Sequence, residues 1–418
     1  MELKKYKLGD IAETGSGGTP KSTVAEYYDN GIIPWINSGE LNQPFIRDAK
    51  NYITKTGLNN SSAKLFPADT VLLAMYGATA GKASLLKFEA TTNQAICAII
   101  PNKQIVEPLF LKYKFDTMYD YLVGLSTGSA RDNLSQIGIR NLKISLPELS
   151  TQRRISSILS TLDQKIALNR KINDNLEAMA KQLYDYWFMQ FDFPNEYGKP
   201  YKSSGGKMVW NEKLKREIPE GWEVKSINDL STICRGVSYK PSDLQDNGVL
   251  ILRGNNIENN RIIYDNNTAF LSPNLISAEQ KIKRHDIIIT MSSGSKEHIG
   301  KCAMFQLDSE HSFGAFLSKI TPNKDCPHFI FLFLSSTYFK QKIKSVCNGT
   351  GINNLTNQTF DEVKFAYPTP NILKLFEGRI QSIFDTIGNN DAENEVLTKQ
   401  RDKLLPLLMN GQVSINYD

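Results

Sequence analysis

The sequence predicts two copies of a mixed α/β (α+β) globular domain, joined by two long helices that pair as an antiparallel coiled coil. Short motifs recur at an offset of about 220 positions, which indicates an internal duplication with pseudo-two-fold character. A heptad pattern of apolar residues follows each copy. A segment rich in proline, glycine and lysine leads from the first heptad pattern to the second copy, as a crossing linker would.

The repeat is visible in landmarks that keep the same order in both halves. The matched pairs are LGDIAE with INDLST, Asp69 with Asp286, Gly81 with Gly300, Pro108 with Pro327, and Asn133-Leu134 with Asn354-Leu355. A single match of this kind carries little weight. The shared order and the nearly constant offset make duplication the strongest signal in the sequence.

These patterns predict the limits of five segments. They are a first globular domain at 1–150, a central helix at 151–190, a linker with little regular structure at 191–221, a second globular domain at 222–370 and a C-terminal helix at 371–411. Runs such as VLLAM and DIIITM predict strands within each domain. One helix is expected to begin near Pro108 in the first copy and near Pro327 in the second.

The two long helices carry matching heptad seams. The predicted seam residues are Leu162, Ile166, Asn169, Asn173, Leu176 and Leu183 in the first helix, and Ile383, Ile387, Asn390, Asn394, Leu397 and Leu404 in the second. Both seams contain a pair of asparagines, and a buried asparagine penalises registers that leave its amide unpaired. The sequence therefore predicts that the helices face each other, with an ordinary amphipathic helix on its own domain as the alternative.

The stretch YGATAGKASLL, from Tyr76, resembles a phosphate-binding loop only superficially. Tyr76 occupies the position of the first required glycine, and Ala83 replaces the hydroxyl that would hold Mg²⁺. Since the Gly-Lys pair recurs at Gly300, we expect a turn between two strands rather than a nucleotide site.

Composition is typical of a soluble protein, with 40% hydrophobic and 22% charged residues, and the apolar run FIFLFL is too short to cross a bilayer. The five cysteines form no C-x-x-C pair, and no metal site is predicted. Together these features favour a cytoplasmic protein without a membrane partner. The net charge of +5 permits binding to nucleic acid without requiring it.

Motifs for catalysis are missing: there is no Pro-Pro pair for an adenine methyltransferase loop, no G-x-S-x-G and no H-E-x-x-H. A binding protein is therefore favoured over an enzyme. The loops hold side chains that can reach the edges of DNA bases. The predicted DNA-binding residues are Lys21, Trp35, Asn37, Ser38, Tyr76 and Arg131 in the first domain, and Tyr239, Lys240, Arg253, Asn255, Asn256, Lys296 and Asn353 in the second.

Four motifs give the chain a resemblance to a known family. They are the run from Ser126 to LPELSTQRRI, YDYWF at 184–188, GKPYKSSGG at 198–206 and EIPEGW at 217–222. With the order of domain, long helix, linker, domain and long helix, the whole chain resembles the specificity subunit of type I restriction-modification systems. One departure concerns Gln152, before the first helix: the residue that corresponds to it in the second copy is Leu373.

The resemblance implies a fold and a function. Each globular domain would be a target recognition domain that binds one half of a split double-stranded DNA site, and the paired helices would set the gap. Two modification subunits carrying S-adenosylmethionine, and two restriction subunits with an ATP-driven motor, would bind the chain, which would hold no cofactor itself. The main alternative is an adaptor whose coiled coil joins two protein-binding domains without DNA. An enzyme of unknown chemistry is a third reading.

Overall fold

The computed structural model describes residues 2–127, 134–264, 268–295, 297–346 and 353–413. The chain divides into two compact units, one of residues 1–167 with 394–418 and the other of residues 168–393. Each unit therefore contains one globular domain and a segment of both long helices. The narrower domain limits predicted above, 1–150 and 222–370, stay a prediction.

The first unit is built on a five-stranded and a four-stranded sheet in its described part. The five-stranded sheet has the order Ala12–Ser16, Ile96–Pro101, Val71–Ala74, Ala83–Leu86 and Phe45–Ile46. The four-stranded sheet has the order Asn51–Ile53, Ile33–Ile36, Ala90–Thr92 and Leu65–Phe66. A separate strand pair joins Lys4–Lys7 to Lys143–Leu146. Its shorter helices are Leu8–Ile11, Lys55–Asn59, Pro108–Thr117, Tyr119–Thr127 and Gln136–Arg140.

The second unit repeats this plan. One sheet has the order Ser231–Arg235, Leu317–Pro322, Ile287–Thr290 and Cys302–Met304; the other has the order Leu244–Gln245, Ala269–Leu271, Val249–Leu252 and Ser312–Phe313. Shorter strand pairs are Glu223–Lys225 with Phe365–Tyr367, Ile257–Glu258 with Arg261–Ile262, and Ser292–Ser293 with Asn353–Asn354. The shorter α-helices are Ile227–Leu230, Pro327–Ser335, Thr337–Val346 and Asn357–Glu362.

The duplication extends to strand direction. In the first unit Ile33–Ile36 pairs in parallel with Ala90–Thr92, and in the second Val249–Leu252 pairs in parallel with Ser312–Phe313. In the five-stranded sheet Ile96–Pro101 and Val71–Ala74 are antiparallel, and the edge strand Phe45–Ile46 is parallel to Ala83–Leu86. The predicted mixed α/β fold in two copies is confirmed.

One predicted correspondence is shifted by a residue. Asp69 donates its backbone N–H to Leu86, and His285 donates to Phe305 in the same turn of the second unit. Both residues adopt a positive φ, of 66° and 70°. The structural partner of Asp69 is therefore His285, and Asp286 corresponds to Thr70.

The helix after each central sheet was predicted as single and is in fact two helices in succession. Pro108–Thr117 is followed by Tyr119–Thr127, and Pro327–Ser335 by Thr337–Val346. The break in the second copy lies at Ser336, whose hydroxyl accepts a hydrogen bond from the Phe339 N–H. Such a side-chain cap starts a new helix and is a weak signal in sequence.

The two long helices span Leu149–Tyr184 and Pro370–Met409. The first contains no glycine or proline and continues into a π-helical turn at Asp185–Met189, while the second starts with a proline, whose missing N–H is unneeded there. In the first unit Ile155 and Leu159 share a core with Leu404 and Leu408. That pairing joins the start of one helix to the end of the other.

The seam residues of the coiled coil are buried or partly buried along both helices. Ile166, Asn169, Asn173, Ile387 and Asn394 are buried, and Leu162, Leu176, Leu183, Ile383, Asn390, Leu397 and Leu404 are partly buried. In the second unit Asn169 donates to Glu393, and Asn173 is bonded to Asn390. Residue numbers rise along one helix as they fall along the other, so the helices run antiparallel, as predicted.

Polar contacts fix each globular domain to its helical segments. In the first unit Asp163 accepts a 2.6 Å hydrogen bond from the Tyr113 hydroxyl and a 3.1 Å ion-pair contact from Arg401. In the second, the Arg261 Nε donates to Glu177 at 2.6 Å. Because these groups are partly or fully buried, losing one partner would leave a desolvated charge.

The start of each long helix is held by a different residue. Gln152 accepts a hydrogen bond from the Glu107 N–H, just before the helix at Pro108. Its counterpart Leu373 cannot, and Glu377, one turn later, accepts from the Phe329 N–H at 2.8 Å. The departure from the family pattern is thus compensated within the second unit.

The linker at 191–221 is more regular than predicted. It contains a β-hairpin of Met208–Asn211 with Arg216–Pro219. Phe193 stacks on Trp222 at 5.1 Å, and the Arg216 guanidinium lies 4.6 Å from the Phe191 ring centre. These contacts join residues far apart in sequence, which is why local composition indicated only a loop.

Candidate nucleic-acid interface

In the first unit several loops meet where the strands of the two sheets end. The Gly18 N–H donates to the Thr92 carbonyl at 2.9 Å, and the Asn93 N–H donates to Ile36 at 3.0 Å. A Cβ atom at Gly17 would lie 2.0 Å from the Thr92 oxygen, so only glycine fits there. These contacts bring the loops around residues 18, 37 and 93 together.

The second unit builds the same junction. The Val237 N–H donates to Phe313 at 2.8 Å, and the Gly314 N–H donates to Leu252 at 2.9 Å. Gly236 is the counterpart of Gly17, and it must also be glycine because a Cβ there would lie 2.2 Å from the Gly314 oxygen. We refer to this junction in each unit as the loop cluster, formed by residues 17–21, 37–41, 75–82 and 92–95 in the first and 236–240, 253–256, 291–295 and 313–316 in the second.

A short 3₁₀ turn after a parallel strand forms the centre of each loop cluster. In the first unit the Asn37 N–H donates to the Glu40 carboxylate at 3.0 Å, and in the second the Arg253 N–H donates to the Asn256 amide oxygen at 2.9 Å. The cap residue differs between the copies, whereas the turn is the same. The turn is therefore a common framework that carries different side chains.

Gly81 closes the turn suggested by the YGATAGKASLL stretch. Its N–H donates to Ala74 at 2.9 Å with φ of 80°, and Gly300 donates to Thr290 at the same distance with φ of 74°. Lys82 follows directly and precedes the strand Ala83–Leu86. The prediction of a turn between strands is confirmed.

Six of the predicted DNA-binding residues lie in the loop clusters and have side chains that reach solvent. Lys21, Tyr76, Lys240 and Asn255 are exposed, while Ser38 and Tyr239 are partly buried. Thr79 fixes the Ser38 loop by donating its hydroxyl hydrogen to the Ser38 carbonyl at 2.8 Å. The structure thus brings Ser38 and the Tyr76 loop together.

Asn37 and Arg253 are partly buried at the equivalent cap position. The Asn37 amide oxygen accepts a long, 3.4 Å hydrogen bond from Asn93. The Arg253 Nε is buried and has no hydrogen-bond partner among the described residues. A buried guanidinium nitrogen without a partner is unusual, and an acceptor supplied by a ligand would satisfy it.

Two predicted DNA-binding residues are buried. Trp35 is 8% exposed, and its single ring donor is bonded to the Gly18 carbonyl at 3.0 Å. Asn256 is 4% exposed. Its side-chain oxygen accepts a hydrogen bond from the Arg253 N–H, and its side-chain nitrogen donates one to the Ile263 carbonyl. Both side chains support the loop clusters from inside, so they are not part of the proposed contact surface.

Three further predictions fall where the structure gives no side-chain description. Arg131 and Lys296 lie outside the described residues, and for Asn353 only the backbone is described, paired with Ser293. Phe316 was missed by the sequence analysis although it is 70% exposed in the second loop cluster. It lies in an apolar run that resembles a buried strand, so no local signal could have identified it.

Comparison with known proteins identifies this class of fold. The family model for the type I restriction modification DNA specificity domain matches residues 1–178 and 219–400. The chain is 29% identical over 428 residues to the type I restriction enzyme MjaIX specificity subunit of Methanocaldococcus jannaschii, covering 99% of this chain and 94% of that protein. It is 33% identical over 208 residues to the StySPI specificity subunit of Salmonella potsdam, covering 47% of this chain and 44% of that protein.

A solved structure shares the fold. The type I restriction-modification S subunit from M. genitalium is 15% identical with a TM-score of 0.59, covering 97% of this chain and 96% of that one. The two sheets, the duplicated domains and the long helices define a duplicated DNA-specificity fold. The chain belongs to the type I restriction-modification specificity subunits, which are non-catalytic components of their complexes. No described helix is long and apolar enough to span a membrane.

Proposed function

We propose that each loop cluster reads one half of a bipartite site in double-stranded DNA. The observation that carries this proposal is that one framework is built twice with different side chains at its surface. Asn37 and Arg253 cap the same 3₁₀ turn, yet one offers a neutral amide and the other a guanidinium. Two such readers would recognise two different half-sites, giving an asymmetric sequence.

The proposed contacts divide into base readers and phosphate contacts. Asn37, Ser38 and Tyr76 in the first unit, and Tyr239, Arg253 and Asn255 in the second, offer donors, acceptors and rings suited to base edges. Exposed lysines at positions 21, 64, 240, 281 and 283 would bind phosphates and hold the register without reading sequence. Arg131, Lys296 and Asn353 remain candidates from sequence alone.

The paired helices are proposed to set the gap between the two half-sites. The support is the asparagine network, which fixes how one helix is registered against the other. In the same proposal, two modification subunits and two restriction subunits bind this chain. S-adenosylmethionine and ATP would be held by those partners, in the cytoplasm.

The decisive experiment is single-molecule sequencing of methylated adenines in cells that make this chain with its cognate methyltransferase. We expect a two-part motif with a fixed gap, which disappears when the chain is removed. Replacing residues 222–370 with the equivalent domain of a relative should change one half of the motif and leave the other half intact. A change in both halves would contradict separate reading.

The adaptor alternative makes opposite predictions. If the chain is an adaptor, no methylation motif should be found even when the methyltransferase is present and active. This alternative also expects binding that is insensitive to salt, whereas a protein that neutralises several phosphates loses roughly 10³-fold or more in DNA affinity between 50 and 200 mM salt. Titrating the complex with duplex DNA at both salt concentrations separates the two functions.

A further inference from the structure

Each loop cluster contains an equivalent backbone hydrogen bond between two strand ends. In the first unit the Met75 N–H donates to the Ala95 carbonyl at 2.8 Å. In the second the Met291 N–H donates to the Phe316 carbonyl at 2.9 Å. Both methionines are buried, so these bonds mark the same point in the two copies.

A large aromatic side chain is exposed at this point in both units, but from opposite strands. In the first unit it is Tyr76, 50% exposed, while Ala95 across the bond is 5% exposed. In the second unit it is Phe316, 70% exposed, while Ser292, the counterpart of Tyr76, is partly buried. The copies have thus kept an aromatic group at the surface while changing the strand that carries it.

The backbone beneath Phe316 is firmly held. Its carbonyl accepts hydrogen bonds from Met291 and also from Ser292, at 3.2 Å. The next residue, Leu317, donates to Gly314 at 2.8 Å and is buried. Exposed Phe316 leaves a large apolar surface in water, and covering that surface with a ligand would be favourable.

We propose that Phe316 recognises a thymine through apolar contact with the C5-methyl group in the major groove. The proposal rests on the function proposed above. A phenyl ring has no donor or acceptor, so the methyl group is the feature of a base edge that it can distinguish. Arg253 and Asn255, in the same loop cluster, supply the polar contacts that the unique pattern of the major groove requires.

A wedge between base pairs in the minor groove is the competing use of an exposed phenylalanine. That use would place the guanidinium and amide groups of the loop cluster against the more degenerate pattern of the minor groove. The major-groove contact uses all three side chains. Tyr76 is the matched aromatic group for the other half-site.

The test uses the complete chain with its modification subunits and a duplex containing the methylated motif. Each thymine in the half-site assigned to residues 222–370 is replaced singly by deoxyuridine, which lacks the methyl group. Wild-type complex should bind one of these duplexes about fourfold more weakly, the effect of one buried methyl group. Phe316→Ala should bind the thymine and deoxyuridine duplexes equally, and Phe316→Leu should retain part of the difference.

Controls make each outcome decisive. Tyr76→Ala should keep the full discrimination in this half-site, and thermal unfolding should show that the Phe316 variants fold. The proposal is overturned if the half-site has no thymine, if Phe316→Ala still discriminates, or if 2-aminopurine fluorescence rises on binding in a Phe316-dependent way, which indicates a wedge. Wild-type complex without any sequence preference would instead refute the proposed function itself.

Discussion

The Asn390 side-chain amide donates a 2.8 Å hydrogen bond to the Asn173 side-chain oxygen between the two long helices. Asn173 is fully buried, and its own amide donates to Asp391 at 2.8 Å. Both ends of the Asn173 amide are therefore satisfied in this register. A shift of either helix would leave buried polar groups unpaired, so the network selects one alignment over others.

Removing one member of this pair should therefore destabilise the second unit. We expect Asn173→Ala to lower the free energy of unfolding by about 1–3 kcal/mol, because the partner groups lose their hydrogen bonds. The double variant Asn173→Leu with Asn390→Leu should recover stability, since an apolar pair leaves fewer buried groups unsatisfied. Urea unfolding followed by circular dichroism measures both, and a double variant weaker than the single one would refute this explanation.

Lengthening both helices together should change the tolerated gap in the DNA motif. One heptad would be inserted between Ile166 and Asn169 and another between Asn394 and Leu397, which keeps the seams in phase. Seven residues add about 10 Å at 1.5 Å each, equivalent to roughly three base pairs. Methylome sequencing should then show a longer gap between unchanged half-sites.

The control for this change is the same heptad inserted into the first helix alone. That variant breaks the match between the seams and should lose stability without producing a motif with a longer gap. If the doubly extended protein methylates the original motif, the helices do not set the spacing.

Gln152 should be essential for the stability of the first unit. It is 1% exposed, accepts from the Glu107 N–H, and donates to the Ile105 and Pro147 carbonyls. Gln152→Leu leaves these backbone groups unpaired and should cost about 2–4 kcal/mol of unfolding free energy. The same change at exposed Gln164 on this helix should have a small effect, and equal losses at both positions would show that the hydrogen bonds are unimportant.

Arg253 should determine one base of the half-site proposed for the second unit. Its Nε has no partner among the described residues, and an arginine most often recognises guanine with two hydrogen bonds. Arg253→Ala should weaken binding by about 5- to 150-fold, corresponding to 1–3 kcal/mol, and relax one position of the motif. Lysine at this position keeps the charge but lacks the planar fork, so it should not restore specificity.

Lys240→Ala is the matched control for Arg253. Lys240 is exposed and is proposed to contact a phosphate, so its loss should affect all sequences about equally and reduce the salt slope by about one. Selection from a library of randomised half-sites distinguishes the two results. A uniform loss for Arg253→Ala would identify it as a second phosphate contact.

The buried thiols should react slowly in the native protein. Burial raises the pKa of Cys97, Cys302 and Cys326 to about 12, so at pH 8 their thiolate fraction is on the order of 10⁻⁴. Of the four cysteines in the described part of the chain, partly buried Cys234 should be alkylated by iodoacetamide first, and all cysteines should be labelled after unfolding in guanidinium. Mass spectrometry of peptides measures the order, and rapid native labelling of Cys97 or Cys302 would indicate that these cores open.

The sequence by itself determined the duplication, the order of the domains and the seams of the long helices. Those features are periodic or repeated, so they are visible in local patterns of apolar, polar and turn-forming residues. Asn173 and Asn390 could be placed at the seam because heptad spacing fixes the face of a helix on which a residue lies. The turn at Gly81 was predictable for a similar reason, since it recurs at Gly300.

Only the tertiary structure decided which loop residues reach solvent and which groups pair across distance. Trp35 and Tyr76 are both aromatic residues near strand ends, yet one is enclosed by the Gly18 loop and the other is exposed. Glu377 replaces Gln152 through a contact with Phe329, 48 positions away in sequence. Exposure and hydrogen-bond partners depend on how distant segments pack, and residue type and local spacing do not encode that packing.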